Sequence, residues 1–323
     1  MADDGPAAGE GRVMDALVIR NPELLADALR GLSQTPKRME PKWFYDAEGS
    51  ALFERITELP EYYPTRTETA ILSAGAHRLA SHVPEGAELV ELGSGASVKT
   101  RLLLDRLEGL SAYVPVDISA SFLKETARRL ASSYPRLPIR PVAADFTRPL
   151  RLDDEGHPRV GFFPGSTLGN LDPDGARALM RGVRDWPGIR GFIVGIDLIK
   201  DEETLVRAYD DAAGVTAAFN LNLLHRMNRE IGADFDPDRF AHRAIWNADK
   251  ARIEMHLESL AAQSVQIGPR TIRFAKGETI HTENSHKFSP ESFALRAAEA
   301  GWRLADFLTD EAQMFGVAVL APV

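Results

Sequence analysis

Five short, apolar segments alternate with segments of helical period between residues 87 and 197, and this alternation constrains the fold more than any other feature. The strand candidates are 87–93, 112–117, 139–144, 159–165 and 191–197. The helix candidates are 98–108, 119–133 and 173–185. Short strands that are apolar on both faces are typical of a parallel sheet with helices packed on each side. The sequence therefore predicts an α/β domain.

The pattern changes after residue 197. Residues 198–251 are predicted to be mainly helical, and the β-rich stretch "RIEMHLESLAAQSVQIGPRTIRFAKGETIHTE" follows. The chain then closes with a helix candidate, "SPESFALRAAEAG", and two strand candidates, "WRLADFLTD" and "QMFGVAVLAPV". We expect these two strands to complete the sheet as an antiparallel hairpin. Residues 198–288 are then an insertion beside the edge of the sheet where α/β folds bind ligands.

The N-terminal part is predicted to begin with a flexible tail, residues 1–12, which lacks the basic start and apolar core of a signal peptide. The periodicity of residues 13–32 predicts one or two amphipathic helices. The stretch "PKWFYDAEGSALFERITELPEYYPTRTETAILSAG" is rich in aromatic residues that lie close to prolines. Tyr62 and Tyr63 precede Pro64, a position that disfavours the interior of a helix.

Composition excludes several classes of function. The chain has 38 Lys and Arg against 47 Asp and Glu, a formal charge of −9, so it is a poor candidate for binding nucleic acid through its phosphates. It has no cysteine, which excludes zinc–thiolate sites and thiol nucleophiles. No run approaches the roughly 18 apolar residues of a membrane span. These features predict a soluble cytoplasmic protein.

The stretch "VELGSGASVKTRLLLD", residues 90–105, joins the first strand candidate to the first helix candidate through Gly93 and Gly95. A phosphate-binding P-loop needs a glycine directly before its lysine, and Lys99 has none. A dinucleotide fold has a third glycine where this chain has Val98, which weakens the case for a dehydrogenase without excluding it. The turn suits a nucleotide at the end of the strand but does not identify it.

Acidic residues at the ends of the next strand candidates narrow the choice of nucleotide. Asp117 ends the second candidate, where a carboxylate suits ribose hydroxyls because it can accept two hydrogen bonds. Asp145 and Phe146 end the third, and an acid followed by an aromatic ring suits the amino group and the ring of adenine. Together with the glycine turn, this spacing resembles the class I S-adenosylmethionine-dependent methyltransferases.

Six longer stretches make the resemblance more specific. Spread over about residues 36–290, they are "PKWFYDAEGSALFERITELPEYYPTRTETAIL", "VELGSGASVKTRLLLD", "FFPGSTLGNLDP", "GIDLIKD", "RAYDDAAGVTAAFN" and "GETIHTENSHKF". The chain in these stretches resembles the histidine N-alpha-methyltransferases of the ergothioneine pathway. The resemblance implies an enzyme that uses S-adenosylmethionine to trimethylate the α-amino group of L-histidine, giving hercynine.

The resemblance also implies an architecture. A Rossmann-like methyltransferase domain, 66–197 and 289–323, would bind the donor through its parallel sheet and carry the C-terminal hairpin. A smaller α+β domain, 13–65 and 198–288, would bind histidine. The family suggests a monomer, and no coiled-coil heptad in the sequence contradicts that expectation.

Individual residues follow from the turn and the resemblance. The predicted donor-binding residues are Tyr45, Gly93, Gly95, Lys99, Asp117, Asp145 and Phe146. The acceptor-binding residues that the resemblance implies are Tyr62, Gly165, Asn170, Tyr209, Met255, Glu283 and Ser285.

The chemistry assigns roles to some of these residues. In-line methyl transfer requires a neutral amine aligned with the methyl group, and burial lowers the pKa of an amine. We expect Asn170 to hold the amine and the carboxylate, and Tyr62 and Tyr209 to donate to the carboxylate, so these three are the predicted catalytic residues. No dedicated base is evident, and water could take the proton. Glu283 and Ser285 alternate along an extended segment, so both face one side and suit the two ring nitrogens.

Other interpretations stay open. A metal is not expected, because the spacing of His281 and His286 matches no usual ligand pair. An N-methyltransferase for another amino acid or small amine would keep the same donor site. A catalytically silent donor-binding regulator would release no S-adenosylhomocysteine with any amine, and a dehydrogenase would bind nicotinamide.

Overall fold

The computed structural model describes residues 19–95 and 98–323. The predicted tail, 1–12, lies outside the described residues, as do residues 13–18 of the first helix candidate and residues 96–97 of the glycine turn. The strands of the described part are β1 (Lys37–Arg38), β2 (Glu88–Leu92), β3 (Ala112–Asp117), β4 (Val142–Ala143), β5 (Arg159–Phe163), β6 (Ile189–Asp197), β7 (Phe240–Asn247), β8 (Arg252–Ser259), β9 (Gln263–Ile267), β10 (Arg270–Phe274), β11 (Thr279–His286), β12 (Trp302–Thr309) and β13 (Phe315–Pro322). The α-helices are α1 (Pro22–Leu32), α2 (Ala47–Thr57), α3 (Tyr63–Ala80), α4 (Val98–Leu104), α5 (Ala120–Ser133), α6 (Pro173–Arg184), α7 (Glu202–Arg207), α8 (Val215–Ile231) and α9 (Pro290–Glu299).

A seven-stranded sheet has the order β12-β13-β6-β5-β2-β3-β4. Strands β2 to β6 are parallel, while β13 runs antiparallel to both β6 and β12. This confirms the predicted α/β sheet and its C-terminal hairpin. Strand β4 is shorter than the predicted 139–144, and Ile139 makes only an isolated bridge to Tyr113. Pro141 lies between Ile139 and strand β4, and a proline has no backbone N–H to donate to the neighbouring strand.

A second sheet, of order β1-β11-β8-β7, lies outside the first, and β9 and β10 form a separate hairpin. Its buried face belongs to a hydrophobic cluster drawn from two parts of the chain, residues 24–63 and 205–280. Helix α8 supplies several side chains to this cluster, among them Phe219, Leu223 and Met227. Two further clusters pack on the seven-stranded sheet. The buried apolar side chains thus form one cluster at the second sheet and two clusters on the seven-stranded sheet.

The expectation of helix over residues 198–251 is partly wrong. Helices α7 and α8 lie in this stretch, but α8 ends at Ile231 and β7 forms at Phe240. Gly232 adopts φ +63° as the C-cap, the left-handed conformation in which glycine commonly ends a helix. Beyond it, buried Phe240 and His242 alternate with less buried neighbours, as in a strand with one face covered.

Two local elements direct residues toward the carboxyl edge of the large sheet. Helix α3 begins at Tyr63 with Pro64 in its first turn, so Tyr62 precedes the helix, as the proline predicted. A 3₁₀ turn, Thr167–Asn170, follows β5 and ends at Asn170. Ser166, which precedes that turn, has φ +55°, and its Oγ accepts a hydrogen bond from the backbone of Asp197 at 2.9 Å. The end of β6 therefore holds this turn in place.

Candidate active site

The glycine turn after β2 is tied to the end of β3. Gly93 and Gly95 have φ of +66° and +48°, conformations that favour glycine. The Gly95 backbone N–H donates to Asp117 Oδ2 at 3.1 Å, and the Ser119 N–H donates to Asp117 Oδ1 at 3.0 Å. With respect to residues 19–95 and 98–323, each carboxylate oxygen retains a lone pair for a ligand. The turn and the acid that were predicted to bind the donor therefore meet at one edge.

Phe146 also lies at this edge. A Cβ built on Gly93 would be 3.4 Å from Phe146 Cε1, and the Phe146 ring packs edge-on against Phe163 with centroids 5.3 Å apart. Asp145 Oδ1 accepts a hydrogen bond from the Thr147 N–H at 2.9 Å. Phe146 is thus a neighbour of the glycine turn, and Asp145 directly precedes it in the chain.

Lys99 and Gly165 are joined by an acid that the sequence analysis missed. Glu68, on α3, is fully buried and forms an ion pair with Lys99. Its carboxylate also accepts a hydrogen bond from the Gly165 N–H at 2.9 Å. A Cβ on Gly195 would lie 2.0 Å from Glu68 Oε1, so this glycine in β6 provides the space for the carboxylate. Glu68 therefore links the helix after the donor turn to the loop after β5.

A pocket lies beside this edge, and its empty space of about 520 Å³ includes the part that opens to solvent. It contains every residue that was predicted to bind the acceptor, namely Tyr62, Gly165, Asn170, Tyr209, Met255, Glu283 and Ser285. Tyr45, which was predicted to bind the donor, also lines this pocket. The lining residues that the sequence analysis did not predict are Phe53, Ile56, Thr167, Ala208, Thr216 and Phe219.

The aromatic residues of the pocket pack against each other. Tyr62 and Tyr209 lie with ring centroids 6.2 Å apart, and Phe53 contacts Tyr62 edge-on at 6.4 Å. Tyr45 packs edge-on against Phe219 with centroids 5.8 Å apart. Burial raises the pKa of Tyr45, Tyr62 and Tyr209 well above the usual value. Their hydroxyls therefore remain protonated and can donate hydrogen bonds.

Glu283 is the acidic group of the pocket. It is 8% exposed, and no hydrogen bond joins its carboxylate to the described part of the chain. Burial raises its pKa to about 7, and the nearby Lys287 charge opposes that rise. Met255 lies directly across from Glu283 on β8. A buried carboxylate without a hydrogen-bond partner among the described residues can accept a hydrogen bond from a ligand in the pocket.

Two more polar groups complete the pocket. The Tyr209 hydroxyl and Ser285 Oγ are hydrogen-bonded at 2.7 Å, so their two hydroxyl groups lie side by side in the pocket. Asn170 lines the pocket, and its side chain makes no hydrogen bond to any described residue. Its amide thus offers both a donor and an acceptor.

Three possible metal ligands, Glu254, His256 and His281, lie on the opposite face of the small sheet with ligand atoms within 4.8 Å of one another. This group includes one of the two histidines that were considered from the sequence, but not His286. Arg252 donates to Glu254 Oε1 at 2.8 and 2.5 Å, so the cluster already holds a cation. A second positive charge there would be opposed by the guanidinium. As for membranes, none of the helices within residues 19–95 and 98–323 is long and apolar enough to cross a bilayer.

A parallel sheet with a glycine turn, acids at successive strand ends and a polar pocket at the same edge is the architecture of a class I S-adenosylmethionine-dependent methyltransferase. Comparison with protein-family models agrees, since the model described as "Histidine-specific methyltransferase, SAM-dependent" matches residues 24–322. The chain belongs to this family.

Curated relatives extend over nearly the same length. The histidine N-alpha-methyltransferase of Mycolicibacterium smegmatis is 45% identical over 304 residues, covering 92% of this chain and 94% of the relative. That of Mycobacterium tuberculosis is 46% identical over 307 residues, with the same coverage of 92% and 94%. Ergothioneine biosynthesis protein 1 of Neurospora crassa is 31% identical over 208 residues, which cover 61% of this chain and 23% of that protein.

Proposed function

We propose that the protein transfers methyl groups from S-adenosylmethionine to the α-amino group of L-histidine, three times, giving hercynine as a step of ergothioneine biosynthesis. The observation that carries the proposal is one pocket that holds Asn170, Glu283 and the Tyr209–Ser285 hydroxyl pair beside the donor edge. The names of the relatives above, histidine N-alpha-methyltransferase and ergothioneine biosynthesis protein 1, support it.

The donor edge fits S-adenosylmethionine, which supplies a methyl group on an electrophilic sulfonium. Asp117 would hold the ribose, because each of its oxygens accepts one backbone N–H from the described residues and a carboxylate oxygen has a second lone pair. Asp145 and Phe146 would hold adenine, and Gly93 and Gly95 leave room for the donor because neither carries a side chain. Tyr45 and Lys99 would complete the donor site, with Lys99 fixed by Glu68.

The acceptor pocket can hold both ends of histidine. We propose that the Asn170 amide contacts the amine and the carboxylate, and that Tyr62 and Gly165 help to hold the same end. Glu283 would accept a hydrogen bond from the ring N–H, and Ser285 with Tyr209 would donate to the other ring nitrogen. For Tyr209 this replaces the contact with the carboxylate that the sequence led us to expect, because its hydroxyl is hydrogen-bonded to Ser285 Oγ at 2.7 Å. Met255 lies beside Glu283 and would pack on the imidazole.

The protein's part in the transfer is to desolvate and orient the amine. An ammonium is disfavoured in the aromatic pocket, so burial promotes the neutral form that has a free lone pair. Asn170 is uncharged and therefore does not stabilise the ammonium as a carboxylate would. Alignment of the lone pair with the methyl group can contribute much of the acceleration without a covalent intermediate. The released proton leaves through water.

We also propose that the two sheets belong to two domains, 66–197 with 289–323 for the donor and 13–65 with 198–288 for the acceptor. The separate hydrophobic cluster of residues 24–63 and 205–280 supports that division. The proposed enzyme acts as a cytoplasmic monomer, without a metal and without a nucleic-acid partner, in keeping with its formal charge of −9.

An acceptor panel tests the proposed function. Purified protein is incubated with S-adenosylmethionine and each of the twenty amino acids, and S-adenosylhomocysteine release is measured. The proposal expects release with histidine far above every other amino acid. Preferential release with another amino acid would assign the pocket to that acceptor, and release with none would favour a silent donor-binding protein.

A further inference from the structure

Lys287 is a buried ammonium behind the acceptor pocket. Its side chain is 0% exposed, and its Nζ lies 2.7 Å from Asp197 Oδ2. The same Nζ donates to the Tyr209 hydroxyl and to Ser285 Oγ, each at 2.9 Å. An ammonium has three hydrogens and no acceptor, so these contacts use its whole hydrogen-bonding capacity. Lys287 therefore reaches the pocket only through the Tyr209–Ser285 pair.

The number of hydroxyl hydrogens determines which hydrogen-bonding groups the Tyr209–Ser285 pair presents to a ligand. Tyr209 and Ser285 each carry one hydroxyl hydrogen, and each accepts one hydrogen bond from Lys287. One of the two hydrogens is used in the bond between them, in whichever direction it runs. The other is left to point outward. The pair thus presents one donor hydrogen and one remaining lone pair, with the Lys287 side chain behind both.

The surrounding charges favour this arrangement. Asp197 is fully buried between Lys287 and Lys200, whose Nζ lies 2.7 Å from Asp197 Oδ1. Burial alone would raise the pKa of Asp197, but Lys287 and Lys200 outweigh burial and lower it. Burial lowers the pKa of Lys287 and of Lys200, and the ion pairs with Asp197 oppose that shift. With both lysines protonated, one carboxylate shared by two ammonium groups leaves an excess positive charge, which strengthens a hydroxyl as a donor. The Glu283 carboxylate, on the other side of Ser285, supplies a negative charge.

We propose that Lys287 is a specificity-determining positioning residue that forces the Tyr209–Ser285 pair to donate to an unprotonated ring nitrogen of the acceptor. This inference rests on the proposed function, because it takes the acceptor to be histidine. With Glu283 as the acceptor for the ring N–H, the pocket then selects a neutral imidazole, which has one donor and one acceptor nitrogen. A ring without nitrogen cannot satisfy both groups, and an imidazolium would place its positive charge close to the Lys287 ammonium.

The competing explanation is that Lys287 only neutralises Asp197. Lys200 provides a matched control, because it pairs with the same carboxylate but donates to the Tyr63 hydroxyl, at 2.6 Å, rather than to the Tyr209–Ser285 pair. A substitution at either lysine removes one of the two charges from Asp197. Only the substitution at Lys287 releases the hydroxyl pair.

The test measures binding of histidine and of β-(2-thienyl)alanine, which has a five-membered aromatic ring without nitrogen, by calorimetry with S-adenosylhomocysteine present. In wild type, histidine should bind more tightly. Lys287→Met should reduce the histidine-to-thienylalanine affinity ratio by about ten- to a hundred-fold, the worth of a charge-assisted hydrogen bond. Lys200→Met should leave the ratio unchanged, and both variants should bind S-adenosylhomocysteine as wild type does.

Several results would overturn the inference. An equal loss of both ligands in Lys287→Met would mean that the pair contacts the shared amino acid part, and an equal change of ratio in both lysine variants would mean a structural role. Ser285→Ala is the second variant, should Lys287→Met fail to fold. A ratio unchanged by Ser285→Ala would refute the ring contact regardless of Lys287. Wild type that binds no histidine would instead refute the proposed function.

Discussion

Replacing Glu283 by Gln should make the protein more stable and less active at the same time. The carboxylate is 8% exposed, has no hydrogen-bond partner among the described residues and has a pKa raised by burial to about 7. The difference from the ordinary value of 4.5 corresponds to about 3 kcal/mol once the carboxylate is ionised. A neutral amide of the same shape avoids this cost.

The sign of the pH effect follows from the raised pKa. The folded state binds the Glu283 proton more tightly than the unfolded state does, so the wild type loses free energy of unfolding as the pH rises from about 4.5 through about 7. Glu283→Gln has no such group. Its advantage over wild type should therefore grow by about 3 kcal/mol across this window, measured by urea unfolding at several pH values.

The same substitution removes the anionic partner proposed for the ring N–H. A hydrogen bond to a charged group is worth about 1.5–3 kcal/mol, so kcat/KM for histidine should fall by about ten- to a hundred-fold at pH 8. Donor affinity should not change. Glu258→Gln, on the outer face of the same sheet, serves as the control and should alter neither property. Unchanged histidine efficiency in Glu283→Gln, or no pH-dependent gain in stability, would refute the reasoning.

Three further predictions concern the donor site, the sheet and the reaction course. Asp117→Ala should weaken S-adenosylmethionine binding by about 30- to 1,000-fold in calorimetry, because two hydrogen bonds to a carboxylate are worth about 2–4 kcal/mol; unchanged affinity would remove Asp117 from the site. Burial also raises the pKa of Glu91 to about 7, so Glu91→Gln should gain about 3 kcal/mol on wild type between about pH 4.5 and 8 in urea unfolding, whereas parallel pH curves would contradict that pKa. Purified α-N-methylhistidine and α-N,N-dimethylhistidine should both be converted by the same pocket, and a chromatographic assay that finds the dimethyl compound unconverted would refute three successive transfers.

Much of the large sheet could be predicted because the sequence signals for its strands and turns are local. Strands such as β3 and β6 are largely apolar and buried almost throughout, and turn residues bound them. The end of α8 was harder to predict, because the helical period continues up to Ile231 and only Gly232, in a left-handed conformation, stops it. The strand after it depends on pairing with β8, which lies later in the chain.

The residues of the site likewise differ in whether their roles could be predicted from local sequence. The glycine turn and Asp117 follow from their positions at strand ends, and the acceptor residues were named through long motifs. Glu68 and Lys287 were missed because their roles arise from contacts with distant residues. Glu68 meets Gly165, which is 97 positions away, and Lys287 meets Tyr209, which is 78 positions away. In the sequence alone each is an ordinary charged residue, and only its complete burial shows that it has specific partners.

The most direct test of the central claim is to locate the transferred methyl groups. Histidine is incubated with the protein and S-adenosylmethionine labelled with ¹³C at its methyl group, and the product is examined by NMR and mass spectrometry. The account predicts a single product in which three equivalent labelled methyl groups are attached to the α-nitrogen and the imidazole is unmodified. Label on a ring nitrogen, a product that stops at one methyl group, or no label in histidine would contradict it.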